Sequence, residues 1–345
     1  MSRQGWRSVV ISNPAQLNLN ANALQVSQRI DGQDKQARVP IEDINVLVLD
    51  NPQVMLTSML LSALMEAQVA VISVSSNHIP NGVMIPYLPH SRGNRVINAQ
   101  INMTLPLRKR LWLQLLQEKI HNQAAVLAYF SDHSKVNDVV LTRKVVARLG
   151  EFASTLNKPH QYDEANTTEA HAAQLYFPAL FPVLSELNQA FNRGQHRFYN
   201  AALNYGYAVV RAAIARTLVV FGFLPSLGVH HQNDQNAFNL ADDVIEPYRP
   251  FVDAWVKHHF AVEPPSDYEL SQQDKAKLVS LLGQDVRLTH HAQSGACSML
   301  AAIEASVISL SNAVVGEDYL QGVRIKPELL SLPQFNSQLD NSFLS

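Results

Sequence analysis

The sequence predicts an α+β protein, with a small β-rich N-terminal domain that carries one helix and a larger all-α C-terminal domain. The main observation is the spacing of apolar residues, which changes from a period of 2 to one of 3.6 at about residue 96. The length of 345 residues corresponds to about two domains. A hydrophobic content of 47% with 16% charged residues supplies a sizeable core and argues against global disorder.

Short alternating or β-branched segments predict the strands of the first domain. In order they are WRSVVIS, LNLN, LQVSQRI, ARV, INVLVLD and VAVISVS. The turn sequence DGQ at 31–33 lets ARV pair back onto the strand before it. The last two strands are densely apolar, so we expect them to be buried on both faces or in a sandwich core. Between them, VMLTSMLLSALMEAQ is rich in Leu, Met and Ala and predicts a helix.

Four longer segments predict the helices of the second domain. They are RKRLWLQLLQEKIHNQAAVLAYF, ALNYGYAVVRAAIARTLVVFG, AKLVSLLGQ and CSMLAAIEASVISLSNAVV. The second ends at Gly222, a plausible C-cap. We place the domain boundary near the loop PHSRGN, which gives a β-rich domain at 1–92, a helical domain at 96–316 and a weakly ordered tail at 317–345.

Composition limits the classes of function. The net charge of −2 excludes a strongly basic protein, although residues 96–150 hold eight Lys or Arg against three Asp or Glu. Cys297 is the single cysteine, so no intrachain disulfide can form, which fits a reducing cytoplasm. The N-terminus lacks the apolar core of a signal peptide. We see no run approaching the roughly 18 apolar residues of a membrane span, so no membrane association is expected.

Residues 227–250, LGVHHQNDQNAFNLADDVIEPYRP, place several metal-ligand types between apolar segments. His230 and His231 form either a solvated pair or a ligand site. Asn239 can cap a short helix in which Asp242 is the N3 residue, which would account for some of the acidic residues. Pro247 favours a new helix start, so Glu246 is expected at a junction between elements, where its charge has either a capping or a functional role.

Glu169 lies on the apolar face of the segment NTTEAHAAQLYF. A buried carboxylate needs a cation, a metal or a hydrogen-bond donor, because its desolvation costs several kcal/mol. The alternative is a capping box in which Asn166 is the N-cap and Glu169 its N3 partner. Two carboxylates and one imidazole suit Mg²⁺ or Mn²⁺, and the absence of an accompanying cysteine argues against structural zinc.

Three ordered segments resemble a known family. They are TEAHAAQLYFPALF, NAALNYGYAVVRAAIARTLVVFGFLPSLGVHHQN and FNLADDVIEPYRPFVD. Together with GWRSVVISNPAQLNL and ALMEAQVAVISVSSNHIPNGVMIPY, they are similar to the CRISPR-associated endonuclease and integrase of spacer acquisition, in its type II form. The similarity covers roughly residues 5–260, and the chain departs from the family pattern at its doubled histidine, at Ala170 and in its C-terminal tail.

The resemblance implies that Glu169, His231 and Glu246 are the catalytic metal ligands. His231 is preferred because the family's histidine lies fifteen residues before that glutamate, and His230 and Asp243 are assigned supporting roles. The implied cofactor is Mg²⁺ or Mn²⁺. The implied reaction joins a DNA 3′-hydroxyl to a phosphodiester, which inserts a captured fragment into a CRISPR array.

The resemblance also implies that the N-terminal domain is a β-sandwich with a helix, and it implies the partners. They are double-stranded DNA, a second copy of the chain, a small ferredoxin-like protein that completes a heterohexamer, and the type II effector nuclease as a further candidate. The apolar strands and Met-rich helix of the β-rich domain favour dimerisation there. Candidate DNA-binding residues are Arg108, Lys109, Arg110, Arg211, Arg216 and Arg249. We expect Arg249 near the scissile bond and the cluster at 108–110 on the more distant duplex.

Two other functions fit the same residues. One is a non-catalytic DNA-binding scaffold of this fold, in which the polar residues only cap helices; metal binding would distinguish it. The other is a small-molecule metallohydrolase, which would need a deep apolar pocket around the polar residues instead of an open basic face.

Overall fold

The computed structural model describes residues 7–30, 33–75, 80–86, 93–133, 139–156, 159–181, 197–260, 269–289, 296–316 and 330–335. The strands are β1 (Arg7–Ile11), β2 (Ala15–Asn20), β3 (Ala23–Ile30), β4 (Gln33–Pro40), β5 (Ile44–Leu49), β6 (Val54–Leu56), β7 (Ala70–Val74), β8 (Pro80–Met84), β9 (Asp285–Leu288), β10 (Cys297–Ser298) and β11 (Pro333–Gln334). The helices are α1 (Ser58–Glu66), α2 (Gly93–Ile101), α3 (Leu105–His133), α4 (Val139–Thr155), α5 (Ala165–Leu180), α6 (Arg197–Val220), α7 (Asn239–Val244), α8 (Arg249–His259), α9 (Gln272–Ser280) and α10 (Met299–Gly316).

Two four-stranded sheets form the N-terminal region. One has the order β4-β3-β2-β6 and the other β1-β5-β7-β8. β3 and β4 pair antiparallel as far as Ile30 and Gln33, as the sequence predicts. In the second sheet β1, β5 and β7 run parallel and β8 is antiparallel. Strands followed by helices confirm the predicted α+β class.

The central strands β5 and β7 are buried on both faces. Leu47 and Val71 face the core that contains α1 and the other sheet. Val46, Val48 and Ile72 instead join the core of the helical region. Both sides of these strands are therefore covered, which explains why their sequences are apolar at nearly every position.

Two predicted helices begin later than expected. Residues 54–56 form the short strand β6, which pairs parallel with β2, and α1 starts after Thr57, whose side chain accepts from the N–H of Leu60 at 3.3 Å. Cys297 and Ser298 likewise form β10 before α10. Both corrections have the same cause, because pairing with another strand overrides the helical propensity of these residues.

Helix α3 runs through the centre of the helical region and packs against α4, α5 and α8. The residues predicted to share its buried face, Leu111, Leu115, Ile120 and Leu127, are all buried. The predicted end of α6 at Gly222 is confirmed: this glycine has a φ of 87°, and the N–H of Phe223 donates to Leu218 O at 2.9 Å.

The C-terminal residues contribute more to the core than the sequence suggests. Leu330, Leu332 and Phe335 are buried, and β11 pairs with β9, so residues 330–335 are part of the fold. The rest of 317–345 lies outside the described residues. Among those described, α10 alone is long and apolar enough to cross a membrane, a feature missed in the sequence. Half of it is buried against α6 and α2, which is typical of a core helix.

A buried ion pair connects the strand-rich and helical regions. Lys275 of α9 contacts both carboxylate oxygens of Asp50, at 2.9 and 3.1 Å, and both side chains are almost fully buried. Beside this pair, Gln272 donates to Ser12 O at 3.0 Å. The proposed boundary loop at 89–94 lies mostly outside the described residues, so the division into domains stays a prediction.

Candidate active site

Three side chains from separate elements meet at one point. The ammonium of Lys119, on α3, lies between Glu169 of α5 and Glu246 of a 3-10 turn that joins α7 to α8. It contacts Glu169 Oε1 and lies 2.5 Å from Glu246 Oε2. Lys119 and Glu246 have exposed side-chain fractions of only 8% and 7%, and Glu169 is one-third exposed. We call these three residues the acidic-lysine cluster.

Arg249 adds a second positive charge to this cluster. Its Nε donates to Glu246 Oε1 at 2.9 Å, and its guanidinium lies 4.9 Å from the centroid of the Tyr207 ring. Burial alone would raise the pKa of Glu246, but the charges of Lys119 and Arg249 outweigh it and lower that pKa. Burial would also lower the pKa of Lys119, and the two glutamates more than offset it, so that pKa is raised. Both shifts favour the charged forms of Lys119 and Glu246.

Asp243 organises the segment that follows α6, residues 228–231, here called the His loop. Its fully buried carboxylate accepts the backbone N–H groups of Val229, His230 and His231 at 2.5, 3.0 and 3.1 Å. It also lies 2.7 Å from Nδ1 of His231. This hydrogen bond raises the pKa of His231. It also makes Nε2 the ring nitrogen that is available to a ligand.

The two adjacent histidines have different environments. The ring of His230 stacks on Trp112 at 4.1 Å with an interplanar angle of 4°, and its Nδ1 lies 3.0 Å from the hydroxyl of Tyr162. Burial lowers the pKa of His230. The side chain of His231 is 42% exposed and oriented by Asp243. The geometry favours His231 over His230 as a ligand, as the family spacing implies.

Two capping alternatives are wrong. α5 begins at Ala165 after Glu164, so Asn166 is inside the helix, and Glu169 pairs with Lys119 instead of closing a capping box. α7 begins at Asn239 itself, and its N-cap position is Phe238. The side chain of Asn239 donates to Ser226 O and Asn233 O, at 3.0 and 2.9 Å. Glu246 does lie at a junction, in a 3-10 turn with proline near its start.

Residues without charge hold the site in place. A Cβ atom on Gly228 would overlap His231 O and lie 2.8 Å from Asp243 Oδ2, so the His loop has no space for a larger residue. Asn122, one turn after Lys119 on α3, donates to Pro247 O at 2.9 Å and to Pro333 O at 2.8 Å. These bonds attach the turn that carries Glu246 to α3 and to the C-terminal segment.

The donor types suit a hard divalent cation, but their present arrangement is not that of a metal site. Among the described residues, no three His, Cys, Asp or Glu side chains have the geometry to hold a metal ion. The two glutamates already converge on a single cation, the ammonium of Lys119. The residues therefore fit Mg²⁺ or Mn²⁺ in chemical character, provided that the ammonium moves aside.

The basic segment at 108–110 lies beside the His loop. The ammonium of Lys109 is 4.7 Å from the centroid of the Tyr162 ring, and Tyr162 contacts His230. Lys109 also lies 3.7 Å from Asp163. All three basic side chains are partly exposed. The segment is therefore adjacent to the His loop, and its assignment to the more distant duplex stays a prediction.

The remaining candidate DNA-binding residues differ in accessibility. Arg216 is 2% exposed and its Nε donates to Gln68 O, so its assignment to DNA is wrong for this conformation. Arg211 is partly exposed and pairs with Asp242 at 2.6 Å. Arg249 is 28% exposed and lies in the site itself. Among these three arginines, Arg249 has the best position for contact with a phosphate near the glutamates.

Comparison with known proteins decides the family. The model of the family described as CRISPR associated protein Cas1 matches residues 9–275. This chain belongs to the Cas1 family. It is 35% identical over 330 residues to the CRISPR-associated endonuclease Cas1 of Neisseria meningitidis serogroup C (strain 8013), with 96% of this chain and 98% of that protein covered. The resemblance inferred from the sequence is confirmed.

Solved structures share the Cas1 fold. A casposase bound to integration product superposes with a TM-score of 0.68 at 18% identity, over 94% of this chain and 96% of that one. A chain of a Cas6-RT-Cas1–Cas2 complex gives 0.66 at 17% identity, over 94% of this chain and 36% of that one. At these identities the likeness establishes the fold alone.

Lys119 and Asn122 are the site residues of this Cas1 that the sequence analysis missed. Both lie on α3, about 50 and 125 residues from their partners Glu169 and Pro247. Their sequence context, QEKIHNQ, offered one signal. These polar residues follow Leu115 and Leu116 in the middle of a helix whose length and apolar content predict burial.

Proposed function

We propose that this Cas1 is a divalent-metal-dependent DNA endonuclease and integrase that inserts captured fragments into a CRISPR array. The observation that carries the proposal is the convergence of Glu169 and Glu246 on one cation, beside a histidine that Asp243 orients. Family membership and the casposase neighbour, which is bound to its integration product, support the same reaction.

The residues of the chain have separate tasks in this proposal. Glu169, His231 and Glu246 would hold Mg²⁺ or Mn²⁺, which would polarise the scissile phosphate and stabilise the negative charge on its oxygens. Asp243 would keep a proton on Nδ1 of His231, which would leave Nε2 free to coordinate the metal ion. Arg249 supplies a fixed positive charge next to Glu246, where a phosphate oxygen of the DNA would lie.

Positioning of the DNA strands is the other requirement. An attacking 3′-hydroxyl and the scissile phosphodiester have to be held in line, and that placement supplies much of the rate enhancement. The partly exposed residues at 108–110 lie along one side of the His loop and would hold backbone phosphates without reading the sequence. Arg211 remains a weaker candidate because Asp242 already neutralises it.

The proposed assembly consists of a homodimer, duplex DNA and a small ferredoxin-like partner that completes a heterohexamer. We propose that this assembly acts in the cytoplasm. The Cas1–Cas2 complex among the structural neighbours supports a second Cas protein as partner. Exposed Met55 and Met59, each 61% exposed, and Met84 at 45% give the strand-rich region apolar surface for a dimer contact. The type II effector nuclease stays a candidate partner.

The test is a strand-joining assay with a labelled DNA fragment and a repeat-containing duplex, with Mn²⁺ or Mg²⁺. Glu169→Gln, His231→Ala and Glu246→Gln should each reduce joining by about a hundredfold or more, because each removes a ligand. His230→Ala is the matched control, since this neighbouring ring is stacked on Trp112 and should matter much less. Circular dichroism verifies that each variant is folded.

The outcomes separate the alternatives. Joining at the wild-type rate by all three variants would contradict the assigned ligands, and the reverse ranking of the two histidines would move the ligand by one residue. Wild-type protein that binds DNA but neither binds metal nor joins strands would favour the non-catalytic scaffold. Two cavities of about 530 and 660 Å³ lie in the strand-rich region and include none of the candidate ligands.

A further inference from the structure

Lys119 is buried between Glu169 and Glu246, whose carboxylates would repel each other if neither the lysine nor a metal ion were present. Its ammonium touches Glu169 Oε1 and lies 2.5 Å from Glu246 Oε2, although the two glutamates come from different elements. No part of the proposed reaction requires a lysine at this position. The ammonium occupies the volume in which a divalent cation shared by the same two carboxylates would have to lie.

A metal ion and this ammonium exclude each other sterically and electrostatically. Carboxylate oxygens bind Mg²⁺ at about 2.0–2.1 Å, closer than they approach an ammonium nitrogen. Both glutamates cannot make such bonds while Lys119 remains between them. Two positive charges a few ångströms apart in a buried site also repel each other strongly.

We propose that Lys119 is an internal counter-ion that positions Glu169 and Glu246 in the metal-free protein and is displaced when the divalent cation binds. The inference rests on the proposed function, because it assumes that these glutamates are metal ligands. Lys119 is thus a positioning residue that lowers metal affinity by competition. After displacement, its ammonium is available to an anionic oxygen of the DNA backbone beside the site.

The surrounding contacts allow the side chain to move without the helix. Lysine has a flexible four-carbon stem. Asn122 attaches the turn of Glu246 to α3 independently of Lys119, through its bond to Pro247 O. Arg249 holds the other oxygen of Glu246. Displacement of the ammonium should therefore leave Glu246 close to its present position, whereas Glu169 exchanges its contact with Lys119 for the metal ion.

The experiment measures binding of Mn²⁺ alone to the full chain by titration calorimetry. Lys119→Met removes the charge and keeps most of the volume, and Lys119→Arg is the control that keeps the charge. We expect Lys119→Met to bind Mn²⁺ at least about tenfold more tightly than wild type, which corresponds to about 1.4 kcal/mol. Its melting temperature should be lower than that of wild type without metal and recover when Mn²⁺ is added.

A purely structural role for Lys119 predicts the opposite change. Removal of a structural interaction would loosen the site and weaken Mn²⁺ binding, so equal or weaker binding by folded Lys119→Met overturns the inference. Glu169→Gln separates this failure from that of the proposed function. If wild type shows binding that Glu169→Gln removes, the metal site stands and only the role of Lys119 fails. If neither wild type nor Lys119→Met shows such binding, both proposals fail.

A second measurement uses the wild-type protein, in case Lys119→Met does not fold. Reductive methylation followed by mass spectrometry reports how accessible each lysine amine is to the reagent. We expect modification of Lys119 to increase several-fold when Mn²⁺ is present, while the buried Lys275, paired with Asp50, stays protected as the internal control. Equal protection of Lys119 with and without Mn²⁺ would overturn the displacement.

Discussion

Replacement of Asp243 by Asn exchanges one carboxylate oxygen for an NH₂ group at the centre of the His loop. Oδ2 of Asp243 accepts the backbone N–H groups of Val229 and His230, at 2.5 and 3.0 Å. Oδ1 lies 3.1 Å from the N–H of His231 and 2.7 Å from its Nδ1. An asparagine has a single acceptor oxygen. Whichever way the amide is turned, two of these four donors face another donor.

The expected cost follows from the number of hydrogen bonds removed. A hydrogen bond to a charged group contributes about 1.5–3 kcal/mol, so removal of two corresponds to about 3–6 kcal/mol before the loop relaxes. If the amide oxygen stays on the Val229 and His230 side, its NH₂ group faces Nδ1 of His231. Nδ1 must then accept a hydrogen bond and the proton moves to Nε2, the nitrogen assigned to the metal. We expect a loss of metal affinity of about 10–100-fold.

Chemical denaturation and Mn²⁺ calorimetry measure these two effects. Asp242→Asn is the matched control, because the hydrogen bonds of this neighbouring carboxylate go to Arg211 and Asn236 instead of to the His loop. It should leave Mn²⁺ affinity within about threefold of wild type, well below the loss of about 10–100-fold expected for Asp243→Asn. Surface substitutions usually change stability by less than about 0.5 kcal/mol. If Asp243→Asn loses no more stability than that and binds Mn²⁺ as tightly as wild type, the reasoning is refuted.

Other parts of the molecule give three further predictions. Asp50→Ala leaves Lys275 buried without its carboxylate and should cost about 3–5 kcal/mol in chemical denaturation, whereas Asp50→Leu with Lys275→Met should cost far less; equal losses would contradict this. Burial lowers the pKa of His259 to about 4, so below its ordinary value of 6.5 the unfolded chain binds a proton that the folded chain does not. The free energy of unfolding should therefore fall as the pH drops from 7 to 5, and His259→Gln should reduce that fall. If the variant shows the same pH dependence as wild type, His259 is not its source. Alanine at 108–110 should reduce the salt dependence of duplex binding by roughly one unit of log–log slope for each phosphate that is no longer neutralised, and an unchanged slope with intact affinity would remove this segment from the DNA path.

The fold was predictable because period and length are local properties. α3 and α6 are long and regularly patterned, and the strands β5 and β7 are apolar throughout, so their type could be predicted without tertiary information. The error at residues 54–56 has a nonlocal origin. Those residues are compatible with a helix, and only their parallel pairing with β2, about 40 residues earlier, makes them a strand.

The candidate site was predictable in its acidic residues and less so in its basic ones. A carboxylate on an apolar face has to have a partner, which marked Glu169, but the sequence could not show that the partner is Lys119 from another helix. Arg216 shows the reverse error. Its neighbours Ala212, Ala213 and Ala215 indicate a helix that is apolar all round and therefore buried, a signal that should have excluded it from DNA contact.

The balance of charge connects these residues into one system. Two carboxylates, Glu169 and Glu246, face the two cations Lys119 and Arg249, so these charges balance without a metal ion. Glu246 is almost fully buried, and a buried carboxylate without a compensating cation would be costly in a low dielectric. This accounts for a lysine between two acids that are also suited to bind a metal.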